Sequence, residues 1–228
     1  MLGGTQAPGE AGGGRRVHLY RPREPRLVQR LHSALAERAT AGLDRIAVSL
    51  ATAPHRFLAG EESALASRVE GGAALPRFTP PRIFERGVDG APTLVQNVET
   101  LAQLALISRY GPAWFRSLGT EAEPGSMLTT LRFANGGGGV VETAVGTPIA
   151  ELLRLADHPA QAVLVGGYHG TWLTREQAQH LALSNADLRP LGAGVGAGVL
   201  AALPADRCGL VESARVVQYL ALESAGQC

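Results

Sequence analysis

Apolar and polar residues alternate over Val17–Tyr20, which predicts a short strand. The spacing then changes. Over Glu24–Ala41, Leu27, Val28, Leu31 and Leu35 recur on one helical face, and Gly42 is a suitable stop. Arg45–Leu50 returns to a strand-like run. Strand, helix and strand in close succession predict a parallel crossover unit, the mark of an α/β sheet. His55–Ala59 reads as another strand ending at Gly60, and Glu61–Val69 begins a short helix. Residues 71–92 carry eight prolines or glycines and predict a loop. Asn97 is placed to cap a helix over Val98–Arg109. Its core positions are Val98, Leu101, Leu104 and Ile107 or Ala105, and Trp114 and Phe115 are expected to pack against it.

The composition shifts near Pro124–Gly125, which suggests a boundary. Beyond it Met127–Phe133 is strand-like, Asn135–Gly139 (NGGGG) is a turn and Val140–Thr143 is a return strand. Thr147 is placed to cap a helix with Pro148 at its first position, running to about Ala156. Ala162–Val165 is a further strand ending in Gly166–Gly167. A hairpin, a helix and a third strand make a compact α+β unit, compatible with a β-grasp. A last amphipathic helix, Leu210–Leu222, has Val211, Val216, Leu220 and Leu222 as apolar positions.

Composition narrows the function classes. The 21 basic and 20 acidic residues leave a net charge of +1, which argues against nucleic acid as a partner. Every basic residue is arginine, so Schiff-base and P-loop lysines are excluded from any mechanism. Aromatics are only 5% of the chain, so the core must be Leu, Val, Ile and Ala. The two cysteines, Cys208 and Cys228, form no local pair, which suits a reducing compartment, and two thiols cannot complete an all-cysteine iron–sulfur site. Cys208 reads as a buried thiol. Residues 1–15, with six glycines and one proline, are expected to be disordered. No stretch resembles a leader peptide or a membrane span, so a cytoplasmic protein without direct membrane insertion is expected.

Several short patterns could carry chemistry. Gly136–Gly139 leads from strand to strand, not to a helix N-terminus, and so reads as a hairpin turn rather than a phosphate loop. Gly192–Gly198 contains a dinucleotide-like G-x-G-x-x-A but precedes a strand, and reads as a glycine-rich turn. Gly60, Glu61, Glu62 and Ser63 lie at a helix start. The two carboxylates there can simply favour the helix dipole, or can accept hydrogen bonds from ribose hydroxyls or a nicotinamide amide. Gln96 and Asn97 open the next helix, where an amide can cap the helix or donate to phosphate or ribityl oxygens. The six histidines are scattered singly, away from metal-ligand spacing, and Ser63 lacks a nucleophile elbow.

Taken in order, Phe57–Leu65 (FLAGEESAL), Glu70, Leu75–Pro81 (LPRFTPP) and Pro92–Leu101 (PTLVQNVETL) resemble the flavoprotein F subunit of bacterial NADH-quinone oxidoreductase, respiratory complex I. The same blocks are similar to the matching subunits of NAD-linked hydrogenases and formate dehydrogenases. Trp114–Phe115, Gly119–Thr120, Val145–Pro148, Val165–Gly167 and Gly194–Gly198 fit the same family, and Glu223–Cys228 (ESAGQC) resembles the start of its cysteine segment.

The resemblance implies a Rossmann-like FMN-binding α/β domain, a β-grasp (soluble-ligand-binding) α+β domain and a C-terminal helix. The expected bounds are residues 16–122, 123–205 and, as the start of a C-terminal iron–sulfur helical domain, 206–228. It implies hydride transfer from NADH to FMN, then electron transfer to a 4Fe-4S cluster. The implied partners are other subunits of an NADH dehydrogenase or ferredoxin-like redox complex, with the chain peripheral to a membrane complex. Phe57, standing where the family has tyrosine, would line the flavin and nicotinamide pocket with Gly60, Glu61 and Glu62. Gln96 and Asn97 would lie near the ribityl phosphate, and Cys228 would be one cluster ligand. No residue is assigned a catalytic role.

The departures are as specific. The family's flavin loop, GRGGAGFP, has no counterpart in residues 1–56. Thr79 and Arg82 stand where lysine and phenylalanine are usual, and Ala225 replaces the first cysteine of S-C-G-x-C-x-x-C. The primary expectation is therefore an incomplete electron-input subunit, inactive alone. The alternative is a degenerate, non-catalytic docking or ligand-binding module of a redox complex.

Overall fold

The computed structural model describes residues 2–5, 16–21, 25–43, 46–78 and 80–226. The strands are β1 (Leu2–Thr5), β2 (Arg16–Arg21), β3 (Ala47–Thr52), β4 (Thr93–Gln96), β5 (Ser126–Arg132), β6 (Gly138–Ala144), β7 (Ala162–Val165), β8 (Thr171–Thr174) and β9 (Val199–Leu203). The helices are α1 (Pro25–Thr40), α2 (Glu62–Val69), α3 (Val98–Tyr110), α4 (Pro112–Phe115), α5 (Ile149–Leu152), α6 (Arg175–His180), α7 (Asn185–Leu188) and α8 (Gly209–Leu222). Two compact units divide the chain, residues 1–101 with 219–228, and residues 102–218. The division falls inside α3, whereas the composition shift lies near Pro124–Gly125.

The first unit holds a four-stranded sheet in the order β3-β2-β1-β4. β2 and β3 run parallel, with Val17 opposite Val48, so the crossover through α1 forms as its pattern predicts. Val28, Leu31 and Leu35 lie on the half-buried side of α1. Disorder was expected over residues 1–15, yet Leu2–Thr5 pairs antiparallel with both β2 and β4. Residues 6–15 lie outside the described residues.

One predicted strand is absent. His55–Ala59 instead leads into a 3-10 turn over Phe57–Gly60. The reason lies in its donors. The Phe57 and Leu58 N–H groups donate to the Tyr219 hydroxyl (3.2 Å) and the Glu223 carboxylate (2.9 Å), not to a neighbouring strand.

The second unit holds a five-stranded sheet in the order β6-β5-β9-β7-β8. β5 and β9 are parallel, and the β5–β6, β7–β8 and β7–β9 pairs are antiparallel. The NGGGG segment closes the β5–β6 hairpin: the Phe133 N–H donates to the Gly137 carbonyl at 2.8 Å, and the Gly137 N–H donates to Asn135 Oδ1 at 3.0 Å. Ile149, Leu153, Val163, Val165, Leu173, Leu188 and Leu200 form one continuous core.

The helix expected to run from Thr147 to Ala156 is a single turn, α5. Thr147 does not cap it. Its hydroxyl donates to the Ala144 carbonyl at 2.7 Å and accepts from Thr143 at 3.1 Å. Arg154 then adopts a left-handed conformation (φ 49°), which ends the turn.

The glycine run before β9 is a packing device. A Cβ on Gly196 would lie 2.6 Å from the Gly166 carbonyl oxygen, and both residues have positive φ. The Ala197 N–H donates to that same Gly166 oxygen at 3.0 Å.

Two predicted helix faces need correction. Val98, Leu104 and Ala105 of α3 are exposed, while Leu101, Gln103 and Ile107 are half-buried. Apolar residues encircle this helix, so its pattern does not single out one face. On α8, Val211 and Leu222 are exposed. Val216 and Leu220 share the inward side with Glu212, Ser213, Tyr219 and Glu223. Trp114 does pack on α3, its ring 5.5 Å from that of Tyr110.

Candidate functional site

The helix α2 begins where the sequence places it, and Glu61 explains why. Its backbone is extended (φ −72°, ψ 141°), and its Oε2 accepts from the Ser63 and Ala64 N–H groups, each at 2.9 Å. The Ser63 hydroxyl donates to the same oxygen. Glu61 is thus the N-cap, satisfying donors that the helix cannot. Glu62, in the first turn, is exposed, as are Gly60 and Phe57. Phe57 is 46% exposed.

Buried Ser63 links this turn to the loop that follows. Its hydroxyl accepts from the Arg77 N–H at 2.9 Å. The Arg77 guanidinium pairs with Glu70, whose other oxygen accepts from the Asp89 N–H at 2.7 Å. Arg77 also reaches the Gly87 carbonyl at 3.5 Å. At the far end the Thr93 hydroxyl accepts from the Val88 N–H at 2.9 Å and donates to the Ala91 carbonyl at 3.0 Å. The long loop is therefore held by a chain of polar contacts, and its end is fixed where β4 starts.

β4 ends at Gln96, and Asn97 follows it. Val95 packs with Leu65 in one apolar cluster and with Ala66, Ile83 and Val88 in another. An apolar cavity of about 20 Å³ lies between Leu65, Ala66 and Val69 on α2 and Val88, Thr93 and Val95, with His18 at its edge. Asn97 Oδ1 accepts from the Glu99 N–H at 2.8 Å, so Asn97 is the cap of α3. The two blocks singled out in the sequence therefore flank one packed seam. They present an exposed ring, a free-standing carboxylate at Glu62, and two amides at a helix N-terminus.

This donor set suits the ring, sugar and amide groups of a nucleotide cofactor. A phosphate cradle is a different matter. Among the described residues of the first unit, no glycine-rich loop opens into a helix. Arg82 is exposed, and its N–H donates to Glu85 Oε2 at 2.8 Å. Thr79 lies outside the described residues.

Among the described residues the cysteines form no metal centre. Cys208 is exposed, which corrects the expectation of a buried thiol: it stands just before α8, with its carbonyl accepting from the Glu212 N–H. Cys228 lies outside the described residues. No group of three or more His, Cys, Asp or Glu side chains could hold a metal among the described residues. Two cysteines do not fit a four-thiolate cluster. No helix among the described residues is long and apolar enough to cross a membrane.

Three site contributors carried no assignment in the sequence: Arg77, Tyr219 and Glu223. Glu223 accepts from the Leu58 N–H and, at 3.1 Å, from Arg56 Nε. These bonds hold its carboxyl below the ordinary glutamate value despite partial burial, with the Leu58 N–H as the largest cause. The available signal was spacing. Glu212, Val216, Tyr219 and Glu223 recur at helical intervals, so polar groups line an inward face.

Residues 1–106 match the family model described as the Nuo51 FMN-binding domain. The chain is 30% identical over 216 residues to the NADH-quinone oxidoreductase F subunit of Mycobacterium tuberculosis (strain ATCC 25618 / H37Rv), covering 89% of this chain and 48% of that protein. It is 29% identical over 217 residues to the corresponding F subunit of Streptomyces coelicolor, with the same two coverages of 89% and 48%. In three dimensions it is similar to a chain of an NAD+-reducing NiFe-hydrogenase in the air-oxidized state. The TM-score is 0.76 at 29% identity, covering 93% of this chain and 37% of the other. The chain thus spans about half the length of the curated relatives it matches.

Proposed function

We propose that this chain, a homologue of the F subunits of NADH-quinone oxidoreductase, forms the nicotinamide- and flavin-ring-facing part of an NADH-oxidising electron-input subunit. The observation that carries this reading is the packing of α2 against β4, where Leu65 of the first sequence block and Val95 of the second share one apolar cluster. The match of residues 1–106 to an FMN-binding family model supports it independently.

Bound FMN would supply hydride acceptance and release of electrons one at a time. The protein's own part is binding and orientation. Phe57 offers its exposed ring as a stacking face. Glu62 accepts from ribose hydroxyls or the nicotinamide carboxamide, while Glu61 holds the α2 terminus in place. Gln96 and Asn97 offer amide donors beside the N–H groups of the 13-residue helix α3, toward the ribityl side. The two cysteines of residues 1–228 do not fit a four-thiolate cluster, of which Cys228 would supply one ligand.

In this reading the second unit is a β-grasp, soluble-ligand-binding domain. Its sheet order supports the assignment: β5 and β9 lie side by side in parallel, flanked by β6 on one side and by β7 and β8 on the other. The partners are the other subunits of an NADH dehydrogenase or related redox complex, by analogy with the named relatives.

The test is a flavin titration. FMN fluorescence is expected to be quenched saturably by the chain, and NADH to bleach the bound flavin anaerobically. No quenching and no bleaching would contradict the reading.

A second reading, a docking module without cofactor, is favoured by the commitment of one Glu61 oxygen to three helix-terminal donors. Co-purification of a redox partner with neither flavin nor iron would select it.

A further inference from the structure

We infer that Tyr219 and Glu223, in and just after the last turn of α8, are positioning residues for the nucleotide site, setting the backbone of Phe57–Gly60 across more than 160 residues of sequence. This rests on the reading of Phe57–Glu62 as a nucleotide-facing turn.

The geometry is specific. Three donors from one short segment converge on two side chains of one helix end. Arg56 Nε and the Leu58 N–H both donate to Glu223 Oε2, at 3.1 and 2.9 Å. The Phe57 N–H donates to the Tyr219 hydroxyl at 3.2 Å. The Glu223 side chain is only 11% exposed, so water competes poorly for its oxygens. Arg56 itself is extended (φ −151°, ψ 155°) and makes no side-chain cap for the turn it precedes. The 3-10 turn therefore takes its anchorage from α8. The Glu61 N–H donates back to the Leu58 carbonyl at 3.1 Å, so a shift at Leu58 is passed directly to the cap of α2.

The consequence is directional. Phe57 carries the exposed ring, and Gly60 and Glu62 carry the exposed backbone and carboxylate. None of the three is buried enough to hold itself in place. Tyr219 and Glu223 fix them without touching the ligand. Glu223 also lies five positions before Cys228 in the sequence, so the helix end that holds the turn continues into the cysteine segment.

The test compares Glu223→Ala, Glu223→Gln and Tyr219→Phe with the whole chain, and uses Glu212→Gln as a control. Glu212 lies on the same helix, and among the contacts described its carboxylate pairs only with Arg215, at 2.7 Å. Two quantities are read: amide exchange at Phe57–Ala59, and the apparent affinity for FMN followed by fluorescence.

Glu223→Ala is expected to raise exchange at Leu58 by about tenfold, the scale of losing a charged acceptor, and to weaken FMN by a similar factor. Glu223→Gln keeps an acceptor oxygen and is expected to restore most of both. Tyr219→Phe is expected to raise exchange at Phe57, and Glu212→Gln to change neither quantity. If Glu223→Ala unfolds the chain, Tyr219→Phe still decides the matter through exchange measured on folded protein. Unchanged exchange at Phe57 in Tyr219→Phe, or at Leu58 in a folded Glu223→Ala, overturns the anchorage. Raised exchange with unchanged FMN affinity overturns the positioning role. Raised exchange in a chain that binds no FMN at all overturns the functional reading, and the positioning role with it, leaving only a structural tie.

Discussion

Each of the two units is held by a different kind of internal contact. The second has a single core in which Ile149, Leu153, Val163, Val165, Leu183, Leu188 and Leu200 are almost wholly buried. The described residues of the first unit form only two small apolar clusters, around Leu65 and around Ile83. Its loops are held instead by carboxylates: Glu61 on α2, Glu70 on Arg77 and Asp89, and Glu223 on Arg56 and Leu58. Apolar burial is non-directional and tolerates similar shapes. A charge-assisted hydrogen bond fixes an atom to a place. The candidate site lies in the unit that relies on the second kind of restraint, as expected where exposed groups must be aimed rather than merely packed.

Substitutions can break this contrast, and the largest effect belongs to the second unit. Leu200 is fully buried on the central strand β9, so Leu200→Ala is expected to cost about 3 kcal/mol in urea denaturation. A loss under about 1 kcal/mol would mean that the core does not carry this unit. The first unit should answer to polar changes. Glu61→Ala removes a cap with three donors and is expected to cost about 1–2 kcal/mol, with faster exchange at Ser63 and Ala64. Unprotected amides in the parent chain would refute the cap.

A smaller change should act with the opposite sign. Thr129 is fully buried on β5, and its hydroxyl lacks a hydrogen-bond partner among the described residues. Thr129→Val keeps the shape and removes the unpaired group. It is expected to stabilise the second unit by about 1 kcal/mol, read as a higher urea midpoint. A lower midpoint would show that the hydroxyl is satisfied.

Acid should act on both units, and least strongly. Burial pushes the Glu123 carboxyl up. The Asn185 and Ala186 N–H groups, the Asn185 amide and the Arg189 charge outweigh it and hold the carboxyl below the ordinary value of 4.5. Glu223 is lowered as well. A carboxyl whose folded value lies below its unfolded value contributes stability that is complete above the unfolded value. That stability is lost as pH falls through the folded one. Stability should thus be flat from neutrality down to about pH 5 and decline below 4.5 as these groups take up protons. Glu123→Gln and Glu223→Gln should each flatten the decline in an acid titration followed by circular dichroism. A decline unchanged in both variants would place its origin elsewhere.

The contrast also explains what the sequence disclosed. Periodicity reports burial, so the β2-α1-β3 crossover, the β5–β6 hairpin, β7 and the existence of α8 were all legible. It fails where side chains replace the usual backbone partners. His55–Ala59 looks like a strand because it is apolar, but its N–H groups are taken by Tyr219 and Glu223 from the other end of the chain. Thr147 looks like a cap, but its hydroxyl turns back to Ala144. The strands β1 (LGGT), β4 (TLVQ) and β8 (TWLT) carry no apolar–polar alternation to mark them. Within the site, Glu61 and Asn97 were visible as helix starts, because capping is local. Arg77, Tyr219 and Glu223 act across separations in sequence; helical spacing places Tyr219 and Glu223 on an inward face, but nothing local names their partners. Their roles became visible only with the fold.

The central claim is that Phe57–Glu62 and Gln96–Asn97 form one nucleotide-facing surface. Amide hydrogen exchange of the chain, with and without saturating FMN and NADH, tests it most directly. The account predicts protection at residues 57–62 and 96–98, with the β5–β9 sheet unchanged. Protection confined to the second unit, or none at saturation, would contradict it.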